Sequence, residues 1–243
     1  LKKLLNENKK SLINFLSIFK IITFKDGFFI YMKFTQFIEH IPQIKAIVLP
    51  GLDSHIEMVP LNRTMYLSNQ EYKLQKTKKA AVLLLIYPKN NIAHLALIKR
   101  NQYEGVHSSQ IAFPGGKFEN ADINLQQTAL RETFEEIGIV RENITIVKPF
   151  TEVYIEPSNF LVHPFLGFST NELSFILDKK EVSEIIEMPL SLLLSENLLQ
   201  TRTLTTSYAQ SITVPAFIIN NHIVWGATAM MLNELKVVLQ KIV

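Results

Sequence analysis

A chain of 243 residues with no cysteine and a formal charge of +3 is long enough to bury one substantial core, and it excludes disulfides and thiol catalysis. Six lysines against one Glu and one Asp fall within residues 1–31, leaving 19 basic and 20 acidic residues in the rest. The body of the chain therefore lacks the concentrated cationic track that a nucleic-acid partner requires.

In chain order, Lys2, Lys3, Lys9 and Lys10 precede an apolar run from Phe15 to Thr23. Lys20 interrupts the run, Lys25 and Asp26 follow it, and no small-residue cleavage site appears. No uninterrupted apolar span approaches the roughly 20 residues needed to cross a bilayer, so stable membrane insertion is not expected. Three readings compete for residues 1–31: a membrane-surface helix, an extra helix packed on the domain, or sequence upstream of a start at Met32, which is favoured. Residues 32–243 are expected to form a single domain, and the lack of cysteine permits a reducing compartment such as the cytoplasm.

A short helix is expected from Thr35 to His40, stopped near Pro42. Pro50-Gly51 and Pro60 bound an ordered loop that carries His55, Glu57 and Met58. After a polar, lysine-rich lead-in at residues 70–79, the continuous apolar run from Ala80 to Pro88 reads as a central strand. Asn90-Asn91 makes a turn, and Ile92 to Arg100 the next strand, with His94 on a strand face. Lys99 and Arg100 end that strand and are candidates to hold phosphate oxygens, Arg through its fork geometry and Lys as a point charge. Pro114 keeps the residue before it extended, and Gly115-Gly116 permits a tight turn close to a ligand.

Residues 125–137 fit a helix, with Leu125, Ala129, Phe134 and Ile137 as packing positions and Gly138 as its C-terminal break. Glu132, Glu135 and Glu136 lie at i, i+3 and i+4 and share a face, which is electrostatically unfavourable; Arg131 can pair with Glu135 at i+4. A divalent metal resolves the conflict, since Mg²⁺ is commonly held by a few carboxylates together with substrate phosphates. Further strands are expected from Ile144 to Phe150 and around a Pro-Ser-Asn turn, with Pro164 as a second interruption. Asn159 reads equally as a turn residue and as a substrate contact. Ser158 has no accompanying base or oxyanion arrangement, so a serine hydrolase is not supported. A charged segment from Glu181 to Glu184 precedes a strand and a helix at Leu190 to Leu194. Leu199 to Tyr208 then hairpins into Ile212 to Ile219, and Gly226 opens a terminal amphipathic helix packed on the sheet.

The stretch from Gly116 to Ile139 resembles the Nudix box: Gly116, then Asp122, then Arg131, Glu132, Thr133, Glu135, Glu136, Gly138 and Ile139 in order. Asp122 replaces the usual Glu, eight residues rather than seven separate it from Arg131, and Thr133 stands where an aliphatic residue is common. The first two departures are features of the coenzyme A diphosphatase branch. Leu97 to Arg100, His107, Gln110 and Phe113 to Gly116 are similar to the second signature of that branch, with Ser109 in place of its Gly.

The resemblance implies a mixed α/β Nudix fold, with the sheet packed between helices. It implies Mg²⁺- or Mn²⁺-dependent hydrolysis of the diphosphate of coenzyme A or an acyl derivative, giving 3′,5′-ADP and 4′-phosphopantetheine or its acyl form, and it is compatible with a homodimer. Glu135 and Glu136 become the expected primary metal ligands. Glu132 is a further ligand or water-positioning group, Asp122 a loop ligand, and Arg131 orients a carboxylate. Lys99, Arg100, His107, Gln110, Gly115, Gly116 and Asn159 become expected substrate contacts. Glu181 and Glu184 are candidates for the general base, while the nearby Glu119 does not occupy a box position. The alternatives are a Nudix hydrolase of ADP-ribose, NADH or another nucleoside diphosphate derivative, and a catalytically weak nucleotide-binding regulatory protein.

Overall fold

The computed structural model describes residues 19–24, 27–60, 77–102, 109–206 and 209–242. His107, one of the expected substrate contacts, and most of the lysine-rich lead-in lie outside the described residues. In chain order the elements are β1 (Phe19–Phe24), β2 (Gly27–Met32), α1 (Phe34–Ala46), α2 (Leu52–Ile56), β3 (Lys78–Lys89), β4 (Ile92–Arg100), β5 (Ile111–Ala112) and β6 (Gly115–Lys117). They continue as α3 (Leu125–Ile137), β7 (Thr145–Pro149), β8 (Val153–Ile155), β9 (Phe160–Phe168), β10 (Val182–Pro189), β11 (Leu199–Thr206), β12 (Ala209–Ile219), β13 (His222–Val224) and α4 (Gly226–Gln240).

The apolar run of β3 makes it the middle of the main sheet, whose order is β10-β4-β3-β9-β7. Leu83 to Ile86 and Leu95 to Ile98 have no solvent exposure, as strands covered on both faces require. The sheet is mixed, because β3 runs parallel to β9 while its other pairings are antiparallel. Period-two alternation along β3 divides the core. Leu84 and Ile86 join α1, α4 and the phenylalanines on one face, whereas Ala81, Leu83 and Leu85 pack towards Ala129 and Ile137 of α3 on the other. Asn90 and Asn91 both have positive φ, 52° and 63°, the conformation that a two-residue hairpin turn demands.

Several sequence expectations give way to tertiary packing. Helix α1 continues through Pro42 to Ala46. Burial of Phe37, Ile41 and Ile44 along one face offsets the lost backbone bond, and Lys148 Nζ closes the helix end by donating to the carbonyls of Lys45 (3.2 Å) and Ile47 (2.8 Å). The loop before Pro60 contains the short helix α2. Instead of a helix, the described part of the early apolar run forms a strand, and β1 pairs with β2 from Phe19↔Met32 to Phe24↔Gly27. Their β-branched and aromatic residues favour that outcome, and β2 runs across the expected boundary between residues 31 and 32.

Pro164 lies inside β9 rather than interrupting it. It sits opposite the gap between the β7 and β8 pairings, where a missing N–H costs least. Leu190–Leu194 is a 3₁₀ turn. Helix α4 is buried beyond one amphipathic stripe, since Asn233 and Glu234 are enclosed along with Leu232 and Leu235. Among the described residues, no helix is long and apolar enough to cross a membrane.

Ser109 has φ 59°, where a side chain is strained and glycine is not. Ser109→Gly should therefore stabilise the fold by about 1 kcal/mol, read as a higher thermal midpoint; an unchanged or lower midpoint would contradict this account.

Candidate active site

The site begins with a strand that has almost no side chains. Gly115 and Gly116 pair with Val82 and Ala81 of β3. A Cβ on Gly115, whose φ is 150°, would lie 2.3 Å from the Ala81 carbonyl oxygen. A Cβ on Gly116 would fall 2.4 Å from the Glu132 carboxylate. Glycine at these positions lets the backbone approach both the sheet and the helix beneath.

That helix, α3, is started by Asn124, whose side chain accepts from the Gln127 N–H (3.0 Å) in a side-chain N-cap. It is ended by Gly138 at φ 75°, the left-handed cap. Its buried stripe is Ala129, Thr133, Glu136 and Ile137, and the Thr133 hydroxyl is satisfied by the Ala129 carbonyl (2.6 Å). Phe134 was an expected packing position, but it falls off this stripe and is 52% exposed. The rotation that turns Phe134 outward leaves Glu135 exposed, Glu132 half-buried and Glu136 buried.

Each carboxylate is held differently. Glu136 accepts from the Gly115 N–H (2.8 Å) and from Arg100 Nη1 (3.3 Å). Arg131 Nη1 donates to Glu132 (3.0 Å) and to Glu135 (2.8 Å). The same guanidinium grips Asp122 through Nε (2.9 Å) and Nη2 (3.0 Å), a bidentate charge-assisted pair. Asp122 also accepts from the Thr128 hydroxyl (2.9 Å) and the Glu119 N–H (3.0 Å). Its oxygens are thus engaged in anchoring Arg131 and the loop.

The electrostatics follow from burial and partners. Burial pushes the Glu136 carboxyl up to about 8, against the pull of Arg100 and the Gly115 amide and with added push from Glu132 and Glu181. Burial also raises Glu132, opposed by Arg131. Hydrogen bonding to Arg131 holds Asp122 down at about 2, and the Asp122 bond in turn raises Arg131.

Among the described residues, no three acidic or histidine side chains are gathered as a ligand set as they stand; Arg100 and Arg131 occupy the carboxylates. The donors nevertheless fit a hard divalent cation. They are carboxylate oxygens on one helix face, and Glu132 and Glu136 are desolvated beyond what their arginine neighbours offset.

The remaining expected residues separate. Arg100 and Gln110 line a cavity of about 480 Å³ together with Gly115 and Gly116, a ligand-sized space. Lys99 lies 4.0 Å from Glu184, which also contacts His222 at 3.3 Å, and neither Lys99 nor Glu184 lines the cavity. Asn159 adopts φ 55° and accepts from the Tyr154 hydroxyl (3.1 Å), as a turn residue does. Glu181 is close enough to raise both Glu132 and Glu136. The same cavity is also lined by Ile155, Phe160, Val214, Trp225, Ala227 and Met230. None of them was among the expected site residues, because they come from separate apolar segments.

A glycine strand laid over a carboxylate helix, beside a ligand-sized cavity, defines an α/β domain suited to metal and phosphate. Residues 77–206 match the NUDIX domain, and the chain belongs to the Nudix family, with the Nudix fold of a mixed sheet flanked by helices. It is 31% identical over 158 residues to a protein of Photorhabdus laumondii named an uncharacterized Nudix hydrolase NudL, covering 65% of this chain and 83% of that one. It is 35% identical over 117 residues to the protein of the same name from Enterobacter sp. (strain 638), covering 47% of this chain and 58% of the relative. The matches thus span about three-fifths of the Enterobacter and Pectobacterium atrosepticum relatives, 58% and 60%. Among solved structures, a C. elegans Ap4A hydrolase aligns at 21% identity with a TM-score of 0.40, covering 46% of this chain and 80% of that one.

The depressed Asp122 carboxyl yields a signed prediction. Its contribution to stability is complete above its ordinary value of 3.8 and is lost as pH falls through about 2. Asp122→Asn should lower stability at neutral pH by about 2 kcal/mol and flatten the acid side of the melting curve between those values. A variant with the wild-type acid slope would refute the linkage.

Proposed function

We propose that this chain is a metal-dependent diphosphatase of nucleoside diphosphate derivatives, and that its substrate is coenzyme A or an acyl derivative. The single observation that carries the reaction is the apposition of Gly116 to the Glu132 carboxylate on the face that also holds Glu135 and Glu136. Support for the substrate comes from the cavity beside it. Its lining combines Arg100, Gln110 and the two glycines with a majority of apolar side chains, which suits a molecule with a diphosphate and a long, weakly polar arm. The sequence resemblance to the coenzyme A diphosphatase branch points the same way.

Glu132, Glu135 and Glu136 would hold Mg²⁺ or Mn²⁺. When bound, such an ion neutralises phosphate charge and lowers the pKa of water. The chain's own groups do the rest. The Gly115 N–H fixes one oxygen of Glu136, and Arg131, braced by Asp122, aims Glu132 and Glu135. Arg100 stands between the buried carboxylate and the cavity, so phosphate oxygens entering there can share its charge. Glu181 is the better-placed candidate base, because Glu184 is engaged with Lys99 and His222. The attacking water forms the new bond to phosphorus, the bond to the bridging oxygen breaks, and the leaving phosphate keeps that electron pair.

Product-resolved hydrolysis of coenzyme A, its 3′-dephosphorylated form, ADP-ribose and NADH, with and without Mg²⁺ or Mn²⁺, tests this reading. Preferential metal-dependent release of 3′,5′-ADP from coenzyme A is expected. Faster cleavage of ADP-ribose or NADH would keep the chemistry and defeat the substrate, and binding without turnover would favour a regulatory protein.

Glu136→Gln should lower turnover at least about 100-fold while holding or raising the thermal midpoint, since the amide removes a charge that burial disfavours. Gly116→Ala should cost roughly 100-fold in turnover by displacing Glu132, again with the fold retained. Near-normal rates in either variant would remove the affected carboxylate from its proposed role.

A further inference from the structure

Among the described residues, the deepest carboxylate outside the reaction centre is Glu234 on α4, which has no solvent exposure. Burying an ionised carboxylate is costly unless it is fully paired, and a well-packed apolar side chain often serves stability as well. Glu234 is richly partnered. It accepts from the Gly51 N–H (3.1 Å), the Thr151 N–H (3.0 Å) and the Thr151 hydroxyl (2.5 Å), with His55 Nε2 at 3.6 Å. The preceding residue continues the clamp, since Asn233 Nδ2 donates to the Ser54 carbonyl (2.7 Å) and to Glu57 (2.9 Å).

These contacts join three segments that are distant in sequence, and each supplies a wall of the cavity. The segment held at Gly51, Ser54 and His55 ends in Val59 and Pro60, which line it. The segment held at Thr151 runs into Val153, Tyr154 and Ile155, which line it. Helix α4 contributes Ala227, Met230 and Met231, the last two one helical turn before Glu234, and its N-cap residue Trp225 also lines the cavity. None of the contacts made by Glu234 involves Glu132, Glu135 or Glu136.

We propose that Glu234 is a positioning residue that sets the shape of the apolar lining of the substrate cavity, acting on substrate affinity rather than on the chemical step. This rests on the reading above that the cavity receives the group attached to the diphosphate.

Trp225 is the only tryptophan of the chain and lines the cavity, so its fluorescence reports cavity geometry with or without turnover. The test compares wild-type protein with Glu234→Gln, which keeps the side chain's size, and with Thr151→Val, which deletes one donor and leaves Glu234 in place. Acrylamide quenching of Trp225 should change in both variants. The KM for coenzyme A should rise about tenfold, the scale of one hydrogen bond to a charged group, while kcat stays within about twofold. Thr151→Ser, which restores the hydroxyl, should recover both readouts. Unchanged quenching and KM despite a lower thermal midpoint would overturn the proposal, as would a fall in kcat with KM constant. If the wild-type protein hydrolyses no diphosphate offered, the proposed function fails, and Trp225 quenching still decides the role of Glu234.

Discussion

An ionisable group can sit in the interior of this domain because a backbone without side chains lies over it. The Gly115 N–H meets the buried Glu136, while Gly116 leaves the space that Glu132 fills. Strand β6 is fixed to β3, the middle strand of the sheet, whose Leu83 to Ile86 have no solvent exposure. The placement of the carboxylates is consequently tied to the packing of the whole core, since moving the helix by a fraction of its diameter would either strand the Glu136 oxygen or drive Glu132 into the strand. The glycines are the condition under which sheet and helix approach closely enough for the acids to share one small volume.

Charge is the second constraint. The acids on α3 repel one another, and two of them carry the added cost of burial. Arg131 relieves part of this by bridging Glu132, Glu135 and Asp122 at once, and Arg100 does the same for Glu136. A guanidinium cannot surrender its proton in a protein, so these cations stay charged whatever else enters the site. The arrangement keeps the acids oriented while leaving an appetite for further positive charge.

Much of this was legible in the residues. The uninterrupted apolar run of Ala80 to Pro88 announced a doubly covered strand, Asn90-Asn91 a hairpin, and Gly138 the end of a helix, because each depends on local chemistry. The acidic face of α3 was equally plain from spacing. Pro42, Pro164 and Phe134 were misjudged for one shared reason: their placement was decided by neighbours distant in sequence. Buried partners of α1 outweighed a proline, a gap between strands accommodated another, and the stripe formed by Ala129, Thr133 and Glu136 left Phe134 outside. The cavity walls were illegible on the same grounds, since Phe160, Val214 and Met230 look like any other core residue until the fold assembles them. Asp122 illustrates the limit from the other side: its place in a motif was readable, but its partnership with Arg131 emerged only from three-dimensional geometry.

The matched domain ends at residue 206, whereas Ile212, Val214, Trp225, Ala227 and Met230 line the cavity from beyond it. Part of the cavity lining is therefore carried by a stretch of chain separate from the acidic helix. Substitutions at Val214, Trp225 or Met230 would alter the cavity lining without changing any residue of the acidic helix.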